Sequence, residues 1–288
     1  MINNATLNRR RFLATLALAF AGPADAREPA ASLATAPIAV GGDWGKSWPA
    51  SALTVVQRMR DAALADVRLV SDQQPGRIQV NNHPSGPPHI WLHFDDEPVA
   101  EIGVDVGQQA WSQLAYQFGH ELGHVLANSW KRDAKPALPC QWLEEALVET
   151  FSLRGLEHLA RTWEVNPPFA GDNAYGAAIA KYKDNQLRVY VGYAAAQGTL
   201  ANPRVWFTEK RAILEATGGL SETCQSLIPF LLAELKPAIR VAEIGALNLW
   251  PKRSALPLGA YLNVWERRCI AAELDGHLPR RLRLLLLG

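Results

Sequence analysis

Apolar positions recur at helical spacing between Ser51 and Ala65, through Leu53, Val56, Met59 and Leu64, and predict an amphipathic helix. Short runs at Val67–Val70, Arg77–Asn81, Ile90–Phe94 and Glu101–Val106 follow. Turn chemistry separates them, as in Gln74-Pro75-Gly76 and His83-Pro84-Ser85-Gly86-Pro87-Pro88, so they read as strands. From Gln108 onward the pattern is mainly helical, with helices expected around 174–197, 204–217 and 221–236 and a stop at Gly218-Gly219. No internal repeat is visible. The expected fold class is α+β, a small, mostly antiparallel sheet followed by a helical half. Residues 27–288 fit a single domain, with a sheet-rich lobe over 27–107 and a helical part over 108–288. The Ala, Pro and Gly content of 27–50 reads as a leader pinned to the domain by Trp44 and Trp48.

The first 26 residues break this pattern. Asn8-Arg9-Arg10-Arg11-Phe12-Leu13 precedes the apolar run 14–21, then Gly22-Pro23 and Ala24-Asp25-Ala26, the order of a secretory signal with a small-residue cleavage site. The run is too short for a bilayer, which needs roughly 20 apolar residues. Arg9-Arg10-x-Phe12-Leu13 resembles a twin-arginine signal, with Asn8 where Ser or Thr is more usual. The resemblance implies a periplasmic or secreted protein that folds, and takes up any metal, before export. An uncleaved anchor is the alternative.

Composition is 48% hydrophobic, with 29 Lys+Arg against 28 Asp+Glu, which excludes a disordered tail or a polybasic arm. Loss of residues 1–26 removes Arg9, Arg10, Arg11 and Asp25 and turns a net +1 into −1. The body therefore carries no electrostatic argument for nucleic acid or an anionic membrane. Arg280-Arg281-Leu282-Arg283 followed by Leu284–Leu287 is too short to span a bilayer and reads as a packed terminal segment. Cys140, Cys224 and Cys269 form at most one bridge, and small buried hydrophobes are the other reading.

Candidate chemistry is concentrated in Gln117-Phe118-Gly119-His120-Glu121-Leu122-Gly123-His124-Val125-Leu126, which contains His-Glu-x-x-His. On a helix, His120 and His124 lie about 40° apart, so that both imidazoles can grip one zinc ion with Glu121 beside the water it activates. A chain of this composition gives roughly 0.01 such matches by chance. A catalytic zinc needs a third protein ligand. The helix opening at Gln141-Trp142-Leu143-Glu144-Glu145-Ala146-Leu147-Val148-Glu149 puts Glu145 and Glu149 on one apolar stripe, about 40° apart, with Glu144 about 100° away. Carboxylates on such a stripe are costly unless paired or metal-bound. Glu145 is the expected ligand, with Glu149 and Asp133 as substitutes. Glu149 is also placed to accept the second ring N–H of a ligating His.

These two segments resemble the gluzincin metallopeptidases, the thermolysin-like and aminopeptidase-like clan, whose His-Glu-x-x-His helix is followed by a helix with a glutamate ligand in a Trp-Leu-x-Glu-Ala setting. Here that setting is Trp142-Leu143-Glu144-Glu145-Ala146. The resemblance implies a zincin-like two-lobed domain, zinc on His120, His124 and Glu145, Glu121 as general base, and a peptide or protein substrate. It is specific over about residues 110–155. Metzincins need Gly at 127 and His at 130, where this chain has Ala127 and Trp130. The glycine-x-methionine-glutamate-asparagine element of the aminopeptidases is absent; the strand reads Glu101-Ile102-Gly103-Val104-Asp105-Val106. The residue that stabilises the transition state is left open among Tyr190, Tyr193 and Tyr116. His89 and His93, about 13 Å apart on a strand, are expected at the surface. A catalytically inactive periplasmic binding or assembly protein of the same fold is the alternative function, against which an intact Glu121 argues.

Overall fold

Ile38–Gly42, inside the segment read as a leader, is the first strand, β1. In this computed structural model it pairs in parallel with β2 (Arg77–Asn82), Ile38 opposite Ile78 and Val40 opposite Val80. The described residues are 32–45, 48–70, 74–83, 86–92, 98–128, 130–131, 134–249 and 255–288; the signal segment 1–26, His93 and Asp133 lie outside them. Helix α1 (Pro49–Ala63) connects β1 to β2, as a parallel pair requires. Pro49 sits at its start, where a missing N–H costs nothing, and Val55, Val56 and Met59 are buried.

β2 pairs in parallel with β4 (Val99–Val104), and β3 (His89–Trp91) lies antiparallel on its far side, giving the order β1-β2-β4-β3. The sheet is thus mixed and mostly parallel, which corrects the antiparallel expectation. Val67–Val70 forms no strand. Ile78, Val80, Ala100 and Ile102 turn one sheet face into the core against α1 and α2 (Trp111–Leu126). Buried Asn82 fastens the strand ends: its amide donates to Asp43 O and Val106 O, and its Oδ1 accepts from Val106 N. Gln117 does the same for α2, accepting from Asp105 N and donating to Asp105 O, each at 2.9 Å.

The helical part continues with α3 (Gln141–Val165), α4 (Tyr175–Ala196), α5 (Pro203–Ala216), α6 (Glu222–Gln225), α7 (Ile228–Glu234) and α8 (Ala238–Gly245). A 3-10 turn (Ala246–Leu249), α9 (Leu258–Ala271) and α10 (His277–Leu286) complete it. The expected helix over 221–236 is two short helices, α6 and α7. One core unites sheet and helices, from Leu33 to Leu286. α10 packs Leu278, Leu282 and Leu286 into it. All three cysteines are buried and unbridged. Among the described residues, no helix is long and apolar enough to cross a membrane.

Candidate metal centre

α2 carries His120, Glu121 and His124; α3 carries Glu144, Glu145 and Glu149. What brings the two sets together is the close approach of the helices. A Cβ at Gly119 would lie 2.8 Å from Ser152 Oγ, and one at Gly123 would meet Val148. Each glycine costs about 1 kcal/mol of helix propensity relative to Ala, and the gain is contact with α3. The α2 glycines therefore make room for Met59 of α1 and for Ser152 and Val148 of α3.

Both imidazoles are held from behind. His120 Nδ1 lies 2.7 Å from Glu149 Oε2, and His124 Nδ1 lies 3.0 Å from Glu144 Oε1. That leaves the two Nε2 atoms facing Glu145, whose Oε2 is 3.4 Å from that of His120 and 3.6 Å from that of His124. These three are the described His, Cys, Asp and Glu side chains whose ligand atoms cluster within 4.8 Å of one another. Donors bound at about 2.1 Å in tetrahedral geometry are about 3.4 Å apart, so the observed spacing suits one zinc-sized ion.

The charges point the same way. Burial opposes ionisation of Glu145, but His124 and His120 outweigh it and hold the carboxyl well below the usual range. Burial also disfavours charge on His124, where Glu145 and Glu144 prevail and raise the ring to about 10. His120 moves up likewise, burial being outweighed by Glu145 and Glu149. Glu121 is raised by burial against the pull of His120 and His124. Four carboxylates thus surround two imidazoles, an excess of negative charge that favours a cation at the two Nε2 atoms, either their own protons or one divalent ion in their place.

The ligand atoms open into a cavity of about 260 Å³ that Glu121 also lines. Its walls come from edge strand β3 and the segment after it, through Ile90 and Leu92, and from Lys135, Pro136 and Gln141 ahead of and at the start of α3. His89, exposed as expected, lines it too, with its ring over Gly103 and Nδ1 3.0 Å from Pro87 O.

Comparison with known proteins adds no relative. No family model, curated protein or solved structure matches the chain.

The tyrosines lie elsewhere than expected. Tyr116 and Tyr190 direct their hydroxyls to Glu149 Oε1, at 2.5 and 2.6 Å, on the side of His120 away from Glu145. Tyr193 borders the small cluster of Leu153, Tyr190 and Ile228, beside Glu222. Among the described residues, no tyrosine lines the cavity. Sequence reasoning missed Glu144, which is fully buried behind His124. Its signal was present, because two adjacent glutamates at the start of a mostly apolar helix leave one carboxylate per imidazole once Glu149 is assigned.

Proposed function

We propose that the chain is an exported zinc-dependent peptidase of gluzincin type with a zincin-like fold. The observation that carries this reading is the convergence of His120 Nε2, His124 Nε2 and Glu145 Oε2 at the separation one tetrahedral ion needs, with Glu121 lining the same cavity. Zinc held there by His120, His124 and Glu145 would supply a Lewis acid able to polarise a scissile carbonyl and to lower the pKa of water towards about 7. Glu121 takes the proton of the attacking water and returns it to the leaving amine. A carboxyl whose proton affinity is raised by burial suits that exchange. Glu144 and Glu149 hold the rings so that each presents Nε2. A peptide or protein chain fits a cavity walled by edge strand β3, since an extended chain can lie along a strand edge. Export rests on Arg9-Arg10-x-Phe12-Leu13.

The test is metal content of the purified protein together with hydrolysis of a mixed peptide library, with and without chelator. One zinc per chain and chelator-sensitive hydrolysis are expected, and Glu121→Gln should keep the zinc and lose turnover. A wild-type protein without zinc overturns the site. Bound zinc without hydrolysis assigns the non-catalytic binding or assembly role instead.

A further inference from the structure

Glu149 is a carboxylate with 1% of its surface exposed, met from three sides. Its Oε2 receives His120 Nδ1, and its Oε1 receives the hydroxyls of Tyr116 on α2 and Tyr190 on α4, which are 2.9 Å from each other. Three side chains from two helices thus meet at one buried group on a third. Neither hydroxyl reaches the cavity, so neither can touch a substrate there.

We infer that Tyr116 and Tyr190 form a clamp that fixes Glu149 against His120, and that through it α4 helps set the position of a metal-ligating nitrogen. The inference rests on the zinc reading of the site. A glutamate side chain has three rotatable bonds, and a single hydrogen bond from His120 leaves its second oxygen free to swing. Two hydroxyls on that oxygen remove the freedom and supply the partners that a buried carboxylate requires. Both phenols stay protonated and so remain donors, because burial and the nearby Glu149 charge push them above their ordinary range.

Their surroundings hold them still. The Tyr190 ring packs on Leu153 of α3 and Ile228 of α7, and Tyr116 meets the Tyr182 ring at 5.6 Å. Ser152 Oγ donates to Tyr116 O at 2.7 Å, tying the clamp's backbone to α3. Of the 22 residues of α4, four are buried, and Tyr190 is the one among them that offers a polar contact to the cluster. Tyr116 and Tyr190 are therefore positioning residues, and the chemistry belongs to the groups lining the cavity.

The test compares Tyr116→Phe, Tyr190→Phe and the double variant with wild type in the full chain. It reads zinc affinity by competition with a chelator, and the melting temperature of the metal-free protein. Each single change should weaken zinc severalfold, less than the about 10–100-fold that losing an outer partner of a ligand costs, because Glu149 itself stays in place. The double change should fall short of the product of the two, because both hydroxyls serve one oxygen. Glu243→Ala, which removes a helix cap elsewhere, is the control for stability: it should lower the melting temperature and leave zinc affinity in place. Zinc affinity within twofold of wild type in both single variants overturns the clamp. So does an equal loss of affinity in Glu243→Ala, which would make the effect one of general stability. A wild-type protein that binds no zinc overturns the underlying site and the clamp together, whereas tight zinc in wild type and variants alike overturns the clamp alone.

Discussion

A Cβ on Gly123 would lie 2.7 Å from the Cβ of Val148, so α2 and α3 touch where only a glycine fits. This contact lies one residue before His124 and three after Glu145. Gly123→Ala would gain about 1 kcal/mol in helix propensity. It would lose about 1–3 kcal/mol by overpacking, since the contact is to a β-branched side chain and the α3 backbone. Overpacking wins, and the melting temperature should fall. Because the helices must part for the methyl group, zinc affinity should fall as well, which calorimetric metal titration would read. Unchanged affinity would mean that the helix separation does not set the cluster.

Glu144 should matter as much as the ligands' other partner. It is fully buried with Oε1 3.0 Å from His124 Nδ1, and its removal frees that ring to rotate. Glu144→Ala is expected to weaken zinc by about 10–100-fold. Glu144→Gln, which keeps an acceptor oxygen, should retain more affinity than the alanine. Equal affinity in wild type and Glu144→Ala would remove the residue from the site.

The site was more legible in the sequence than the sheet, for a reason of periodicity. Four-residue spacing on a helix fixes a shared face, so His120 with His124 and Glu145 with Glu149 could be paired before any fold was known. The partner of Glu144 could not, because a helical wheel gives a direction and the partner depends on how closely α2 and α3 cross, which Gly119 and Gly123 decide. β1 was missed because Ile38-Ala39-Val40-Gly41-Gly42 has little strand propensity of its own and is held by parallel pairing to residues 40 positions away. Missing it hid the crossover through α1, and with that the parallel direction of the sheet. Val67–Val70 carried the right residue types and found no partner strand, while Tyr116 and Tyr190 needed the tertiary fold to show that they face Glu149.

The cysteines give a pH dependence with a definite sign. Burial pushes Cys140 and Cys224 up to about 12 and Cys269 higher still, against about 8.5 for a free thiol. A folded-state pKa above the unfolded value means that the native state holds its proton more tightly. The stability this contributes is complete below about pH 8.5 and is lost as pH rises towards about 12. The native protein at pH 8 should therefore show no thiol reacting rapidly with an aromatic disulfide reagent, and three after denaturation. Chemical unfolding at a series of pH values should show stability declining through the alkaline range. A rapidly reacting thiol in the native protein, or fewer than three after denaturation without reductant, would contradict buried free cysteines.

Glu243 tests the helical part independently of the metal. It is 1% exposed and caps α10 across space: Oε1 accepts from His277 N at 2.8 Å and Oε2 from Leu278 N at 2.6 Å. The residue before α10 is Gly276 in the left-handed region, with no side chain to cap the helix, so Glu243 supplies what a capping side chain would. Glu243→Ala leaves two N–H groups without these acceptors, one in a buried bond, at a cost of about 2 kcal/mol or more. For a chain of this size that is a fall of roughly 4–8 °C in melting temperature. Glu243→Gln keeps one acceptor and should fall between wild type and alanine. If alanine and glutamine variants melt with wild type, the cap does not hold α10, and Leu278, Leu282 and Leu286 secure it by burial alone.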